Sequence, residues 1–300
     1  MIIQNIDGIS FEMKEACDFP FLSKYGEVFC VFAQNDSGNI SFGVDNGKQR
    51  YFVKIAGAKT ARLSHSAEEA VQTLKAAMPI YKDLAHPNLI QLIECFEYEE
   101  LYVAVFNWAN GECLFDHWNF EMYAKNPSLV PPRQRFKELP CKKRLNTFNV
   151  LFGFLALVES KGYTAIDFYD GSIMYDFEWD RATICDIDFF KKNPVVNDMG
   201  ADFWGTKRLK SPEEYILNAK IDSVTNVFTI GALLFHFFST YSDSEIKKMY
   251  KDSIFSPCKY ETWELGEASY KAALKAVSPK REDRYASIKL FFDDWKTLKH

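Results

Sequence analysis

Ile40-Ser41-Phe42-Gly43-Val44-Asp45-Asn46-Gly47, followed shortly by Tyr51-Phe52-Val53-Lys54-Ile55, sets the reading of the chain. Two apolar, β-prone runs flank the turn triplet Asp45-Asn46-Gly47, the pattern of a hairpin. Upstream, residues 27–33 are a third such run, parted from Ile40 by the turn cluster Asn35-Asp36-Ser37-Gly38-Asn39. Downstream the period changes. From Ser66, the positions Ala70, Leu74, Ala77 and Met78 fall on one helical face, and Pro79 is expected to perturb that helix near its end. After His86-Pro87-Asn88, residues 90–98 and 101–106 read as two more strands joined by Glu99-Glu100.

There the strand pattern stops. Residues 116–143, aromatic, basic and carrying Pro131-Pro132, read as an irregular insertion. Helical spacing then dominates over 143–161, 224–240, 267–277 and 286–299, interrupted by a short hairpin within 172–188. A sheet followed by helices predicts an α+β fold of two lobes. The divisions are an N-terminal antiparallel β lobe with one main helix (1–106), a crossing segment (107–111) and a helical C-terminal lobe (112–300). The cleft is expected near residues 106–111.

Composition narrows the function classes. The chain has 300 residues, 47% of them hydrophobic, with 27 Phe and 15 Tyr, enough apolar material for two packed lobes. A net charge of −5 supplies no basic field, so nucleic acid is not an expected partner. The seven cysteines are scattered and never paired as CxxC, which predicts reduced thiols and no zinc or disulfide framework. The start, residues 1–10, lacks a basic segment followed by an apolar one, and the longest clean apolar run, 150–158, is too short to span a bilayer. A cytoplasmic protein with no membrane partner is the expectation.

Three groups of residues carry chemistry. Lys54 ends an apolar strand, where a fixed ammonium suits phosphate oxygens, although strand-edge lysines commonly snorkel without binding anything. Asp167, within Ile166-Asp167-Phe168-Tyr169-Asp170-Gly171-Ser172, is flanked by apolar side chains where a carboxylate is costly without a task, while Asp170-Gly171 suits a turn. Asp186 and Asp188, in Ile184-Cys185-Asp186-Ile187-Asp188, alternate at a strand end. That places both on one face, as a Mg²⁺ ion bound through carboxylates and phosphate oxygens would require.

Taken in order, these stretches resemble protein kinases over roughly residues 27–298. Phe52-Val53-Lys54 resembles the lysine strand, and His86-Pro87-Asn88-Leu89 the turn after the regulatory helix. Asp167 to Ser172 resembles the catalytic loop, and Ile184-Cys185-Asp186 the strand into the metal-binding motif. Gly205-Thr206 with Ser211-Pro212-Glu213 resembles the end of an activation segment. Residues 226–231 resemble the anchoring helix, and Arg284 the late arginine that pairs with the Pro-Glu glutamate. The style is similar to that of bacterial serine/threonine kinases.

The resemblance implies an ATP- and Mg²⁺-dependent phosphotransferase acting on Ser or Thr of a protein. Asp167 would be catalytic. Lys54, Gly38, Phe106, Asn107 and Trp108 would bind the nucleotide, and Asp186, Ser172 and Asp188 the metal, with Asp186 and Asp188 as alternative principal ligands. The chain also departs from the family. Gly38 stands alone where several glycines are usual, and Ala77 occupies the position of the regulatory-helix glutamate, with Glu68 and Glu69 two turns earlier. Ile166 replaces the arginine that reads an activation-segment phosphate, Tyr169 a lysine, Ser172 a metal-binding asparagine, and Asn226 an acid. These departures keep two alternatives in view, a pseudokinase that binds nucleotide or acts as a scaffold, and a small-molecule kinase similar to aminoglycoside or choline kinases.

Overall fold

The computed structural model describes residues 1–34, 38–62, 66–116 and 119–299, with the side chains of Phe120 and Asp243 outside that set. Asn35, Asp36 and Ser37 of the expected turn cluster lie outside the described residues. The chain divides into two compact units, Met1–Asn110 and Gly111–His300.

The first unit opens with a hairpin, β1 (Ile2–Ile6) and β2 (Ile9–Met13), that the sequence reading passed over. Its signal was present: Asp7-Gly8 between two β-prone runs, both residues at positive φ (51° and 86°) as a two-residue hairpin turn requires. Five strands follow as one antiparallel sheet: β3 (Glu27–Phe32), β4 (Ile40–Asp45), β5 (Arg50–Ala56), β6 (Leu92–Tyr98) and β7 (Leu101–Asn107), in the order β3-β4-β5-β7-β6. The β4–β5 turn closes as the sequence implies. Asp45 Oδ1 accepts from Gly47 N at 2.7 Å, and Asn46 Oδ1 accepts from Lys48 N and Gln49 N. Period-two alternation sends Ile40, Phe42, Val44, Val53, Ile55, Val103 and Val105 to one face, where they form a core with Phe11, Met13 and Leu22.

The helix α1 (Ala67–Asp83) begins with a reciprocal cap: Ser66 Oγ accepts from Glu69 N at 3.0 Å, and Glu69 accepts from Ser66 N at 3.1 Å. Ala70, Leu74, Ala77 and Met78 are buried, as their spacing implies. Pro79 does not end the helix, which continues to Asp83. The residue is exposed and lies in the final turns, so the carbonyl that loses its N–H partner can turn to water.

In the second unit β8 (Glu112–Cys113) is followed by α2 (Phe120–Lys125), α3 (Pro132–Lys137) and α4 (Cys141–Ser160). The stretch expected to be an irregular insertion thus holds two short helices, with Pro132 at the start of α3, where no N–H is needed. Next come β9 (Tyr163–Thr164), β10 (Ile173–Asp176) and β11 (Arg181–Ile184), the last two forming the expected hairpin. The short strands β12 (Lys191–Lys192), β13 (Val195–Val196) and β14 (Lys220–Ile221) pair with β9, β14 and β13 respectively. Four helices complete the unit: α5 (Ser223–Phe237), α6 (Asp243–Asp252), α7 (Glu267–Ala276) and α8 (Ile288–Thr297). The sequence reading missed α6, although its capping pair Ser242 and Glu245 is visible there. α5 is buried nearly all round, which makes it the post on which this unit is built. Among the described residues no helix is long and apolar enough to cross a membrane.

One buried ion pair ties distant segments to α5. Arg284 Nη1 donates to Glu213 Oε1 at 2.7 Å and Nη2 to Oε2 at 3.0 Å, the fork the sequence anticipated. Arg281 joins it through Glu213, Asp222 and Thr225. Burial pushes the Glu213 carboxyl up, but the hydrogen bond and charge of Arg284 outweigh it and hold the carboxyl below its ordinary range. We expect Arg284→Leu to cost about 3 kcal/mol, the lower end for an uncompensated buried charge because Arg281 remains. The double variant Glu213→Gln/Arg284→Leu should recover part of that loss. Urea unfolding measures both, and a loss below about 1 kcal/mol for the single variant would show the pair to be dispensable.

Candidate functional site

The loop after β9 carries Asp167, and its backbone is fixed by α5. Asn226 Oδ1 accepts from Ala165 N at 2.9 Å, while Asn226 Nδ2 donates to Ala165 O at 2.6 Å. An aspartate could only accept there, so the amide provides a two-way clamp that an acid cannot. Ile166 is buried in a small cluster with Val195, Phe203 and Ile221. The position that resembled a phosphate-reading arginine therefore serves packing.

Asp167 itself is half-buried and in the left-handed region, with φ of 57°. Aspartate tolerates that region better than most residues, but the conformation still stores strain of the kind found at sites of function. Asp167 lines a small hollow with Gly205, Thr206, Lys210 and Glu214. Burial raises its carboxyl to about 7, the charges of Asp186 and Glu214 add to the rise, and Lys210 opposes it. Glu214 is likewise raised to about 7, first by burial, even though its Oε2 accepts from Ser211 N at 2.7 Å and Ser211 Oγ at 2.8 Å. Lys210 is buried, donates to Phe203 O at 2.6 Å and Ala201 O at 3.3 Å, and has a pKa lowered mainly by burial. Two carboxyls that titrate near neutrality beside one ammonium can hold or move a proton. The sequence reading missed Lys210 and Glu214 because the segment follows no helical or strand period. Its only mark was the doubled acid in Pro212-Glu213-Glu214.

The metal residues are placed differently from expectation. β11 stops at Ile184, and Asp186 takes a left-handed φ of 55°, so strand alternation does not extend to Asp188. Asp186 is exposed and its charge acts on Asp167, whereas Asp188 is buried. Strand alternation therefore does not set how the two carboxylates lie relative to one another. Ser172 is fully buried, and its hydroxyl turns into its own loop, donating to Asp167 O at 3.4 Å. Among the described residues no group of three or more His, Cys, Asp or Glu side chains could hold a metal. One exposed carboxylate still meets the modest demand of Mg²⁺, which binds through one or two carboxylates and substrate phosphates.

In the first unit Lys54 stands on β5 between Ser41 of β4 and Ala104 of β7, on the sheet face away from the Val53 and Ile55 core. Ser41 Oγ is buried and has no hydrogen-bond partner among the described residues, an orphan donor next to an ammonium. That pairing fits a bound phosphate. Glu69 is engaged at the α1 cap. One register step along, Gly43 is roofed by rings: a Cβ there would lie 2.7 Å from Phe29 and 2.9 Å from Trp108. Phe29 and Trp108 pack edge to face at 4.9 Å, and Phe52 lies 6.3 Å from Phe106 and 6.4 Å from Trp108. Asn107 belongs to β7, and its side chain is bonded to Gln49 at 2.5 Å and Gln91 at 2.6 Å. Gly38, at φ of 76°, precedes β4.

No family model matches the chain. A stretch of 117 residues, 39% of the chain, is 26% identical to the cell cycle serine/threonine-protein kinase CDC5/MSD2 of Saccharomyces cerevisiae, and covers 14% of that protein. A stretch of 78 residues, 26% of the chain, is 30% identical to serine/threonine-protein kinase 36 of Pongo abelii, and covers 6% of it. The chain thus spans a small part of these relatives, and the likeness points to a protein-kinase-like relationship.

The raised Asp167 carboxyl has a consequence for stability. Its folded pKa lies above the unfolded value, so the folded state holds more protons between about pH 4 and 7 and loses stability as pH rises through that window. Asp167→Asn cannot ionise and suits the same left-handed backbone. At about pH 8 it should stabilise the protein by roughly 1–3 kcal/mol, or about 2–4 °C in Tm per kcal/mol, with little change near pH 4. Thermal melts at both pH values check this, and a lower Tm at both would assign Asp167 a structural role.

Proposed function

We propose that the chain is an ATP- and Mg²⁺-dependent phosphotransferase of the protein-kinase type, acting on a serine or threonine hydroxyl. The observation that carries this reading is Asp167: a half-buried carboxylate, strained in backbone, clamped to α5 through Ala165 and Asn226, and raised to about 7. Such a group is poised to orient and deprotonate a hydroxyl. The partial likeness to two serine/threonine kinases supports the same class.

The residues take separate roles. Lys54, with the unpartnered hydroxyl of Ser41, would neutralise and bond phosphate oxygens. Asp186 would hold Mg²⁺, which supplies charge neutralisation on the transferring phosphate. Asp167 accepts the acceptor's proton, while Lys210 and Glu214 set the electrostatics around it. Activity that needs Asp167 ionised should rise with pH through about 7 in the free protein.

A second reading, a pseudokinase, draws on the rings of Phe29 and Trp108 over Gly43 and on the inward hydroxyl of Ser172. A side chain in that space competes with any planar ligand for it, and a weakened metal set slows transfer.

The two readings part on nucleotide binding and on turnover. At about a hundredfold excess over its Kd, ATP with Mg²⁺ should stabilise the protein by roughly 2.7 kcal/mol, and ATP alone by less. Asp167→Asn should keep that stabilisation while single-turnover transfer to a protein acceptor falls by about 10²- to 10⁴-fold. Asp186→Asn should lose both. If nucleotide binds and wild type and Asp167→Asn transfer equally little phosphate, the pseudokinase reading replaces this one.

A further inference from the structure

Away from the hollow that Asp167 lines, the second unit gathers positive charge that its own carboxylates do not neutralise. Arg208 is 6% exposed. Its Nη2 donates to Asp170 Oδ1, its Nη1 lies 3.3 Å from His236 Nε2, and its guanidinium stands 4.9 Å over the ring of Phe115. Its Nε is sealed from solvent and has no hydrogen-bond partner among the described residues. Asp170, fully buried, reaches His236 Nε2 at 3.2 Å through Oδ2. A single ring nitrogen cannot both donate to Asp170 and accept from Arg208, so one of the two contacts is always unmade.

Arg133 of α3 adds a second guanidinium. It is half-buried, makes no ion pair or hydrogen bond among the described residues, and faces the like charge of Arg208. Lys137, farther along α3, donates to Ser239 O at 2.7 Å and brings a third cation to the neighbourhood. Against these stand Glu264, which pairs with Arg144, and Asp170, whose Oδ1 accepts from Arg208 while its buried Oδ2 makes no hydrogen bond among the described residues and only approaches His236. Half-buried like charges with idle donors are costly unless an anion completes them.

We propose that Arg133, Arg208 and His236 form a binding site for a phosphate-bearing group on the acceptor, a phosphorylated residue near the hydroxyl to be modified. Two guanidinium forks and an imidazole offer more donors than one carboxylate can use, and phosphate supplies three acceptor oxygens. The site also adjoins the chemistry. Asp170 lies three residues beyond Asp167 on the same loop, and Arg208 is held to it, so an anion on Arg208 sits at the back of the catalytic loop. Assigning the anion to an acceptor rests on the phosphotransfer reading. The anion site itself does not.

Calorimetry without nucleotide, at fixed ionic strength, tests it with inorganic phosphate and with one peptide in serine, glutamate and phosphoserine forms. Wild type should bind phosphate, and should bind the phosphoserine peptide at least about tenfold more tightly than the other two forms. Arg133→Glu and Arg133→Ala should lose that preference without a lower Tm, since Arg133 makes no bond that holds the fold. Absence of phosphate binding by wild type, an unchanged preference in both variants, or glutamate binding as tightly as phosphoserine would each overturn the proposal. Selective phosphoserine binding without transfer from ATP would keep the anion site and sink the phosphotransfer reading. Transfer to the phosphoserine-bearing acceptor that Arg133→Glu leaves unaltered would keep the phosphotransfer reading and sink the assignment of the anion to the acceptor.

Discussion

The two-way hydrogen bond between the Asn226 side chain and the Ala165 backbone is the constraint on which the candidate site depends. α5 is buried almost completely, so Asn226 cannot shift without moving the core around it. The bond transfers that rigidity to the loop two residues before Asp167. With the hydroxyl of Ser172 bonded to Asp167 O, it helps hold the left-handed backbone at Asp167. The substitution of an amide for an acid, which on sequence alone looks like a loss, gives both a donor and an acceptor to a backbone that needs both.

Around this anchor the second unit treats its buried acids in two ways. Glu213 is fully paired with arginine, and Asp170 has Arg208 and His236; for both, nearby positive charge overcomes the cost of burial. Asp167 and Glu214 are opposed by Lys210 less than burial raises them, and their carboxyls are pushed up instead. The first pair stabilises the fold at neutral pH, the second costs stability there. A carboxylate kept in an unfavourable setting, within a scaffold that supplies arginines so freely to its neighbours, is more readily explained by chemistry than by packing.

Much of this was legible in the sequence where a period or a cap carried it. Apolar β-prone runs between turn signals marked β3 to β7, the helical spacing of Ala70, Leu74, Ala77 and Met78 marked α1, and the expected Glu213–Arg284 fork is present. What was not legible lies in segments without a period. The stretch 200–215 folds as short turns, so Lys210, Arg208 and Glu214 converge through tertiary structure alone. The strand expected to run through Asp186 and Asp188 stops short for a related reason. Alternation holds only while a strand continues, and one left-handed residue ended it. The turn Asp7-Gly8 and the Ser242–Glu245 cap of α6 are local signals of the same kind.

The sheet face bearing Lys54 is where the two functional readings meet. Its register rows differ in character: Phe32, Ser41, Lys54 and Ala104 form one, and Cys30, Gly43, Phe52 and Phe106 the next. The first row offers an ammonium and a buried hydroxyl that has no hydrogen-bond partner among the described residues, and that hydroxyl suits an anion. The second is apolar, and its glycine is required because the rings of Phe29 and Trp108 already occupy the space of a side chain. Those rings are half-buried and meet edge to face, so displacing them would forfeit only part of their packing, on the order of 1 kcal/mol per ring pair. A stacked planar base could return that much. Under the phosphotransferase reading proposed above, the aromatic roof would be a modest tax on nucleotide affinity, whereas an empty phosphate row would leave Ser41 buried without a partner.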